Sequence, residues 1–303
     1  MTKRRTLARL TRTREGVGSA MALEQMNQMA LLVERNWCAA WTSLGAVRAH
    51  PPTIVDDLPD VLRVYTPGLP ETLLNMVIRY TSPDPVTEQQ IERVIAPYRE
   101  HKLPFQWWLT RGMEPAGLRD RLAALGMETW GGAAMMCLPL DGWSPRYPTP
   151  ADGVSMGRAL RDEDKLTAVT IICNVFYIPQ APMLRWTTLN PAFDLWLAWI
   201  GARPVAAMAT LIDGDTVGVY HVATLPGARR RGIAGNMLLL ALREAHARGC
   251  RWATLTATPE ARALYETVGF HSCGLLEQWM PGPRFARELS GVPARGLFEG
   301  YWD

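Results

Sequence analysis

Apolar residues recur at steps of three and four from Leu23 through Met26, Met29, Leu32, Val33, Trp37, Ala40 and Trp41 to Leu44, which predicts an amphipathic helix over residues 22–44. Downstream the period changes repeatedly. Leu73 to Tyr80 reads as a strand, Thr87 to Glu100 as a helix, Pro104 to Thr110 as a strand, and Pro115 to Leu125 as a helix with Gly126 in the stop position. The stretch Asp141 to Asp152, DGWSPRYPTPAD, has three prolines and opens on an Asp-Gly pair, the composition of an exposed linker between domains.

The second half is more legible. A short strand near Val154 precedes a helix from Asp162 to Phe176. Three strands follow, Asp194 to Ile200, Pro204 to Ile212 and Thr216 to Leu225. The turn Asp213-Gly214-Asp215 makes the last two antiparallel neighbours. Ile233 to Arg248 is a helix closed by Gly249, Trp252 to Ala257 a strand, Glu260 to Val268 a helix closed by Gly269, and Phe270 to Trp279 a final strand. The class is therefore mixed α/β. The uncharged run from Leu166 to Leu184 is long enough to raise the question of a membrane span, but Asn174, Pro179, Gln180 and Pro182 break it into a helix and an irregular loop.

Composition narrows the function classes. With 303 residues, 48% hydrophobic and 20% charged, the chain can fill two packed domains. Its 32 basic and 29 acidic side chains leave a net charge of +3, too balanced for a protein that mainly neutralises nucleic-acid phosphates. The five cysteines, Cys38, Cys137, Cys173, Cys250 and Cys273, form no CxxC pair, so neither a metal site nor a disulfide framework is expected, and a reducing cytoplasm fits them. The basic segment MTKRRTLARLTRTREG has no apolar run after it and reads as a disordered tail over residues 1–20, not a secretory signal; a start at Met21 or Met26 would remove it.

The sharpest local signal is Leu225-Pro226-Gly227-Ala228-Arg229-Arg230-Arg231-Gly232-Ile233-Ala234-Gly235, between a strand and a very apolar helix. The first N–H groups of a helix lack internal partners and carry the positive end of its dipole, so a diphosphate docks there if small residues let the backbone come close. Gly232, Ala234 and Gly235 offer that clearance, and Arg229, Arg230 and Arg231 add cations at the mouth. The alternative is a solvated basic turn capping a core helix. The pattern lacks the Lys-Ser/Thr ending of a nucleotide P-loop and the G-x-G-x-x-G order of a dinucleotide fingerprint.

Arg229, Gly232 and Ala234 do match R-x-x-G-x-A, and with A-L-Y-E-T-V-G-F over residues 263–270 the segment from Val154 to Met280 resembles the GNAT superfamily of N-acetyltransferases. The resemblance implies an acyl-CoA N-acyltransferase-like fold and acetyl-CoA as co-substrate. It implies that the strand before the signature turn bulges and splays, so that Val222, Ala223 and Thr224 pair with the pantetheine amides while Arg229 to Gly235, Ile233 included, hold the diphosphate. Backbone N–H groups at the same opening would stabilise the oxyanion. Tyr265 is assigned as proton donor to the departing thiolate, a role that suits a phenol protonated at neutral pH; packing on an amphipathic helix is its other reading. Relatives often carry Asn near the start of this segment, where Thr256 and Thr258 stand here. His221 is the candidate general base, with Tyr220 expected on the opposite face of the strand.

The first half looks like a distant copy of the second. Trp107-Trp108, Pro115, a helix and Gly126-Met127 run parallel to Trp252, Pro259, a helix and Gly269-Phe270. It lacks the chemistry: no R-x-x-G-x-A precedes its Thr87 helix, and Leu122 stands four residues before Gly126 where Tyr265 stands four before Gly269. The expected division is a degenerate copy over 21–140 whose sheet packs on the active one, a linker over 141–152, a catalytic domain over 153–283 and a tail over 284–303. The loop from Asn174 to Pro191, with Phe176, Tyr177, Met183, Leu184 and Trp186, is expected to line the acceptor site. The leading expectation is transfer of an acetyl group from acetyl-CoA to a primary amine of a small molecule or peptide, by direct attack in a ternary complex. A non-catalytic CoA-binding or scaffolding protein is the alternative. No metal, nucleic acid or membrane partner is expected, and a monomer is favoured.

Overall fold

The computed structural model describes residues 3–82, 85–145, 147–150 and 152–290; the side chains of residues 3–22, Trp130 and Ser290 fall outside that description. Helix α1 (Lys3–Thr42) leads into β1 (Ile54–Asp57), β2 (Val61–Tyr65), β3 (Met76–Tyr80), α2 (Glu88–Glu100), β4 (Gln106–Thr110), α3 (Leu118–Ala124) and β5 (Met127–Pro139). The second half runs β6 (Val154–Arg158), α4 (Asp162–Phe176), the short α5 (Gln180–Met183), β7 (Phe193–Ile200), β8 (Arg203–Asp213), β9 (Thr216–Thr224), α6 (Ile233–Ala247), β10 (Trp252–Ala257), α7 (Pro259–Val268), β11 (His271–Pro281) and α8 (Pro283–Ser290). Residues 3–20, expected as a disordered tail, are the first turns of α1. Residues 284–290 of the expected C-terminal tail are likewise helical, because Phe285 and Leu289 give them an apolar stripe buried with Tyr98, Phe105 and Leu122. Residues 291–303 lie outside the described part.

The eleven strands of the described residues form one sheet, in the order β1-β2-β3-β4-β11-β5-β10-β9-β8-β7-β6. The expectation that one sheet packs on another is therefore corrected: the two halves join edge to edge. The joint is an exchange of final strands, since β5 pairs with β10 of the second half and β11 with β4 of the first, both antiparallel. β5 and β11 also pair with each other. A backbone this close needs Gly132, where a Cβ would stand 3.0 Å from the Leu276 carbonyl oxygen and from the Leu275 side chain.

The halves share one plan, with β3 parallel to β4 across α2 and β9 parallel to β10 across α6. In each, a further helix (α3 or α7) then leads to the exchanged strand. This is a mixed α/β architecture with an acyl-CoA N-acyltransferase-like fold in tandem. On one face α1 and α4 cover a core that includes Trp41, Trp108, Trp186 and Tyr220. On the other, α6 and α7 bury Met237, Leu238, Leu242 and Tyr265 against the second half, and α2, α3 and α8 bury Ile95, Tyr98 and Leu122 against the first.

Helix α1 belongs to both halves. Asn36 donates to the carbonyls of Leu211 and Thr216 at 3.5 and 3.4 Å and accepts from the Tyr220 hydroxyl at 2.5 Å. The contact requires Gly218, where a Cβ would overlap Asn36 Oδ1 and lie 2.7 Å from Tyr220 Cε2.

Candidate functional site

The parallel pairing of β9 with β10 ends at Val219↔Leu255, and β9 continues to Thr224 beyond it. Its pairing with β8 jumps from Ala209↔Tyr220 to Ala207↔Ala223, so two residues, His221 and Val222, stand opposite Met208. This bulge holds His221 at φ 51°, in the left-handed region that non-glycine residues seldom adopt. Past the bulge β9 and β10 part, so Val222 and Thr224 turn backbone groups to the β10 side with no β10 residue paired to them, while Ala223 faces Ala207 of β8.

The bulge also decides where two side chains point. Strict alternation puts Tyr220 and His221 on opposite faces; with the extra residue inserted, both meet Trp186, at ring-centroid distances of 5.5 and 4.8 Å. Phe176 packs edge-on to His221 at 5.6 Å. Among the described residues, His221 Nε2 is buried with no hydrogen-bond partner, as are Trp186 Nε1 and Thr224 Oγ1. Burial among these rings pushes the imidazole down to about 4, so it is neutral at any ordinary pH. Buried polar atoms without a partner are costly in a folded protein unless water or a ligand meets them. Of the other loop residues expected around an acceptor, Met183 and Trp186 are core and Tyr177 is exposed.

Beyond Thr224, Pro226–Ala228 form one 3-10 turn, Arg230 takes φ 63° and Gly232 φ 72°, and α6 begins at Ile233. Asn236 N–H is the first to bond back, to Gly232 O at 3.1 Å, so the N–H groups of Ile233, Ala234 and Gly235 are those the helix leaves open. The three arginines are exposed. Arg229 folds back, its Nε donating to the Thr224 carbonyl at 3.1 Å.

The two glycines of this turn serve different ends. Gly232 is needed for its dihedral angle. Gly235 is needed for the linker: a Cβ there would fall within the Tyr147 ring. The linker over 141–152 is thus strapped to the second half, with Trp143 Nε1 donating to Val268 O at 2.9 Å and Asn236 Nδ2 donating to Pro148 O at 2.8 Å. Most described residues of this proline-rich stretch are exposed, as expected, while the rings of Trp143 and Tyr147 are half-buried against the second half.

Tyr265, on α7, is 5% exposed, and its ring meets Phe270 at 6.0 Å. Its hydroxyl makes no hydrogen bond among the described residues, and burial raises the phenol above its ordinary value. Thr256 lies on the opposite face of β10, toward α1, and Thr258 caps α7 with backbone alone.

The first half repeats the strand geometry without the cradle. β3 and β4 pair only at Met76↔Gln106 and Val77↔Trp107 before they part, and β3 bulges next to that point, at Ile78. Sequence reasoning missed this bulge, since no residue pattern marks it. At the start of α2, however, Thr87 and Gln90 form a reciprocal capping box, so a side chain takes the N–H that a phosphate would need. Leu122, in the position of Tyr265, is fully buried. Among the described residues no group of His, Cys, Asp and Glu could hold a metal ion, and no helix is long and apolar enough to cross a membrane.

Residues 163–270 match the sequence model of the Acetyltransferase (GNAT) family. No curated protein matches the chain by sequence. Among solved structures, a GCN5-related N-acetyltransferase from Kribbella flavida is 17% identical, and the superposition covers 82% of this chain and 95% of that one with a TM-score of 0.63. A functionally unknown conserved protein from Staphylococcus epidermidis is 14% identical over 78% of this chain and 96% of its own, with a TM-score of 0.53. A tandem GNAT protein from the clavulanic acid biosynthesis pathway is 16% identical over 82% and 95%, with a TM-score of 0.51. At such identities the likeness is one of fold, and it extends over both halves.

Proposed function

We propose, from the match of residues 163–270 to the sequence model of the GNAT acetyltransferase family, that the protein transfers an acetyl group from acetyl-CoA to a primary amine by direct attack in a ternary complex. The observation that carries the reading is the conjunction, at one opening of the sheet, of unpaired β9 backbone, the unpartnered His221 Nε2 and the open N-terminus of α6.

The open N–H groups of Ile233, Ala234 and Gly235, with Arg230 and Arg231 beside them, suit a diphosphate. The edge of β9 at Val222 and Thr224, which no β10 residue pairs, suits the amides of a pantetheine arm, and an N–H group there would meet the thioester oxygen, where charge develops. Acetyl-CoA, when bound, supplies a thioester whose carbonyl carbon the amine attacks and whose C–S bond then breaks. His221 receives the proton that the amine nitrogen sheds as it forms its new bond. It is a weak base, and the nitrogen it serves becomes strongly acidic at that moment. The Tyr265 hydroxyl donates to the departing sulfur, and its raised phenol keeps it protonated for that transfer.

The test is thermal unfolding with and without acetyl-CoA. Ligand at about 100 times its dissociation constant stabilises by roughly 2.7 kcal/mol, or about 5 to 10 °C. Gly232→Glu should abolish the shift, whereas Gly232→Ala, which bears the same backbone cost at φ 72° without the charge, should keep it. Tyr265→Phe should lower turnover about 100-fold or more with the shift retained. A shift without turnover toward any amine would instead favour the non-catalytic CoA-binding reading, and the absence of a shift would remove both.

A further inference from the structure

The clearance that small residues give at the start of α6 is taken up by the chain's own linker. Gly232 and Gly235 bracket the N–H groups of Ile233, Ala234 and Gly235 that the helix leaves open. Tyr147 covers one end of that bracket: a Cβ on Gly235 would stand 2.1 Å from its ring Cζ and 2.3 Å from its hydroxyl oxygen. Linker backbone stands at the other end, where a Cβ on Gly232 would lie 3.9 Å from the carbonyl oxygens of both Pro148 and Thr149. Asn236, in the first turn of the helix, ties the two together, its Nδ2 donating to Pro148 O and to Gly232 O, each at 2.8 Å.

A diphosphate seated on those N–H groups would therefore meet the linker on both sides. At Gly235 it would meet a ring. At Gly232 it would meet two carbonyl oxygens, and the negative end of a carbonyl dipole repels phosphate oxygens as they approach. The linker's own grip is slight. Among the described residues, this stretch is held to α6 by the half-buried Tyr147 ring and by the Asn236 hydrogen bond, a single neutral bond to a side chain. Firmer anchors lie on either side: Trp143 Nε1 on Val268 O at 2.9 Å, and Gly153 O accepting from Gly201 N–H at 3.0 Å just before β6. Residues 147–149 lie between these anchors, so they can leave the helix start without unseating either.

We propose that residues 147–149 form an autoinhibitory strap over the start of α6, held shut by the Tyr147 ring, and that the diphosphate of acetyl-CoA binds by displacing it. The proposal rests on the acetyltransferase reading for the identity of the cofactor, but not for the strap itself. The apparent affinity is then the intrinsic one reduced by the fraction of molecules whose strap is open. The segment that joins the two halves thereby sets how readily the second half takes up its cofactor, which a plain connector would not do.

Calorimetric titration of the full chain with acetyl-CoA, and separately with inorganic pyrophosphate, compares the parent with Tyr147→Ala and Tyr147→Phe. Loss of the ring should tighten acetyl-CoA about tenfold, which corresponds to a strap closed in about nine molecules of ten. Tyr147→Phe keeps the ring and should match the parent. In the parent, saturating acetyl-CoA should speed trypsin cleavage after Arg146, the residue before the displaced ring. A single cooperative melting transition shows that each variant is folded. Equal or weaker binding of acetyl-CoA by Tyr147→Ala, binding by Tyr147→Phe as tight as by Tyr147→Ala, or slower cleavage after Arg146 in the bound protein overturns the strap and leaves the acetyltransferase reading in place. Should acetyl-CoA bind none of the three proteins, that reading falls and pyrophosphate decides the strap: tighter binding by Tyr147→Ala than by the parent upholds it, and equal, weaker or no binding overturns it.

Discussion

Gly218→Ala is the substitution whose effect can be worked furthest, because two side chains from opposite halves crowd the position. The added Cβ overlaps Asn36 Oδ1 of α1 and stands 2.7 Å from Tyr220 Cε2, both in the buried core. Overpacking a tight core costs about 1 to 3 kcal/mol. The intrinsic gain of Ala over Gly within a strand returns about 0.5 to 1 kcal/mol. A net loss of about 1 kcal/mol follows, or roughly 2 to 4 °C in Tm. Asn36→Ala alone removes the donor to Leu211 O and Thr216 O and leaves the Tyr220 hydroxyl only the Asn36 backbone carbonyl at 3.2 Å, a cost of about 1 to 2 kcal/mol. In the double variant most of the overlap is gone, so the combined loss should fall short of the sum by about 1 kcal/mol. Thermal and urea unfolding of the four proteins measure the cycle. Additivity within about 0.5 kcal/mol, or a Gly218→Ala protein as stable as the parent, would refute the claim that α1 is locked to the second half at this point.

Three further outcomes follow from the site. His221 is held neutral at a folded value of about 4 but titrates near 6.5 when unfolded, so the unfolded chain takes up a proton first as pH falls. The stability this neutrality confers is complete above pH 6.5 and is lost between 6.5 and about 4; pH-dependent unfolding of His221→Gln should show a flatter decline across that window. For the same reason the acid limb of kcat/KM governed by His221 should lie near pH 4, and a limb near 6.5 would place the imidazole in a polar setting instead. Gly235→Ala should displace the linker by expelling Tyr147, seen as faster cleavage by a protease between residues 141 and 152, and paired with Tyr147→Ala it should return toward the parent's melting temperature.

How much of this was readable beforehand depended on the range of the cause. Wherever a few adjacent residues set the geometry, the reading was close. The Asp213-Gly214-Asp215 turn joins β8 to β9, Gly269 ends α7 at φ 115°, Thr87 caps α2, and the helix Asp162–Phe176 and the strand Trp252–Ala257 have the expected bounds. The arginine and glycine turn before α6 was equally visible, because a helix start is a local event. β1, β2 and β5 were not anticipated. β5 in particular carries Gly131 and Gly132 in its middle and looks like a loop until β10 and β11 flank it.

Sequence alone thus determined the class of fold, the repeat of its plan and the place of the arginine and glycine turn before α6, since each is written in short-range spacing. Tertiary structure decided the rest. The exchange of β5 and β11 between halves is a pairing of segments more than a hundred residues apart, as in Trp279↔Thr129, and no local pattern encodes a partner at that distance. The bulge that turns His221 toward Trp186 exists only because β8 and β10 fix the two sides of β9 differently. Gly235 looks like clearance for a ligand until Tyr147 is seen lying on it. Glu34 looks like one more charge on an amphipathic helix until β4, β5, β10 and β11 close around its carboxylate. Burial is a property of what surrounds a residue, and most of what surrounds these came from far along the chain.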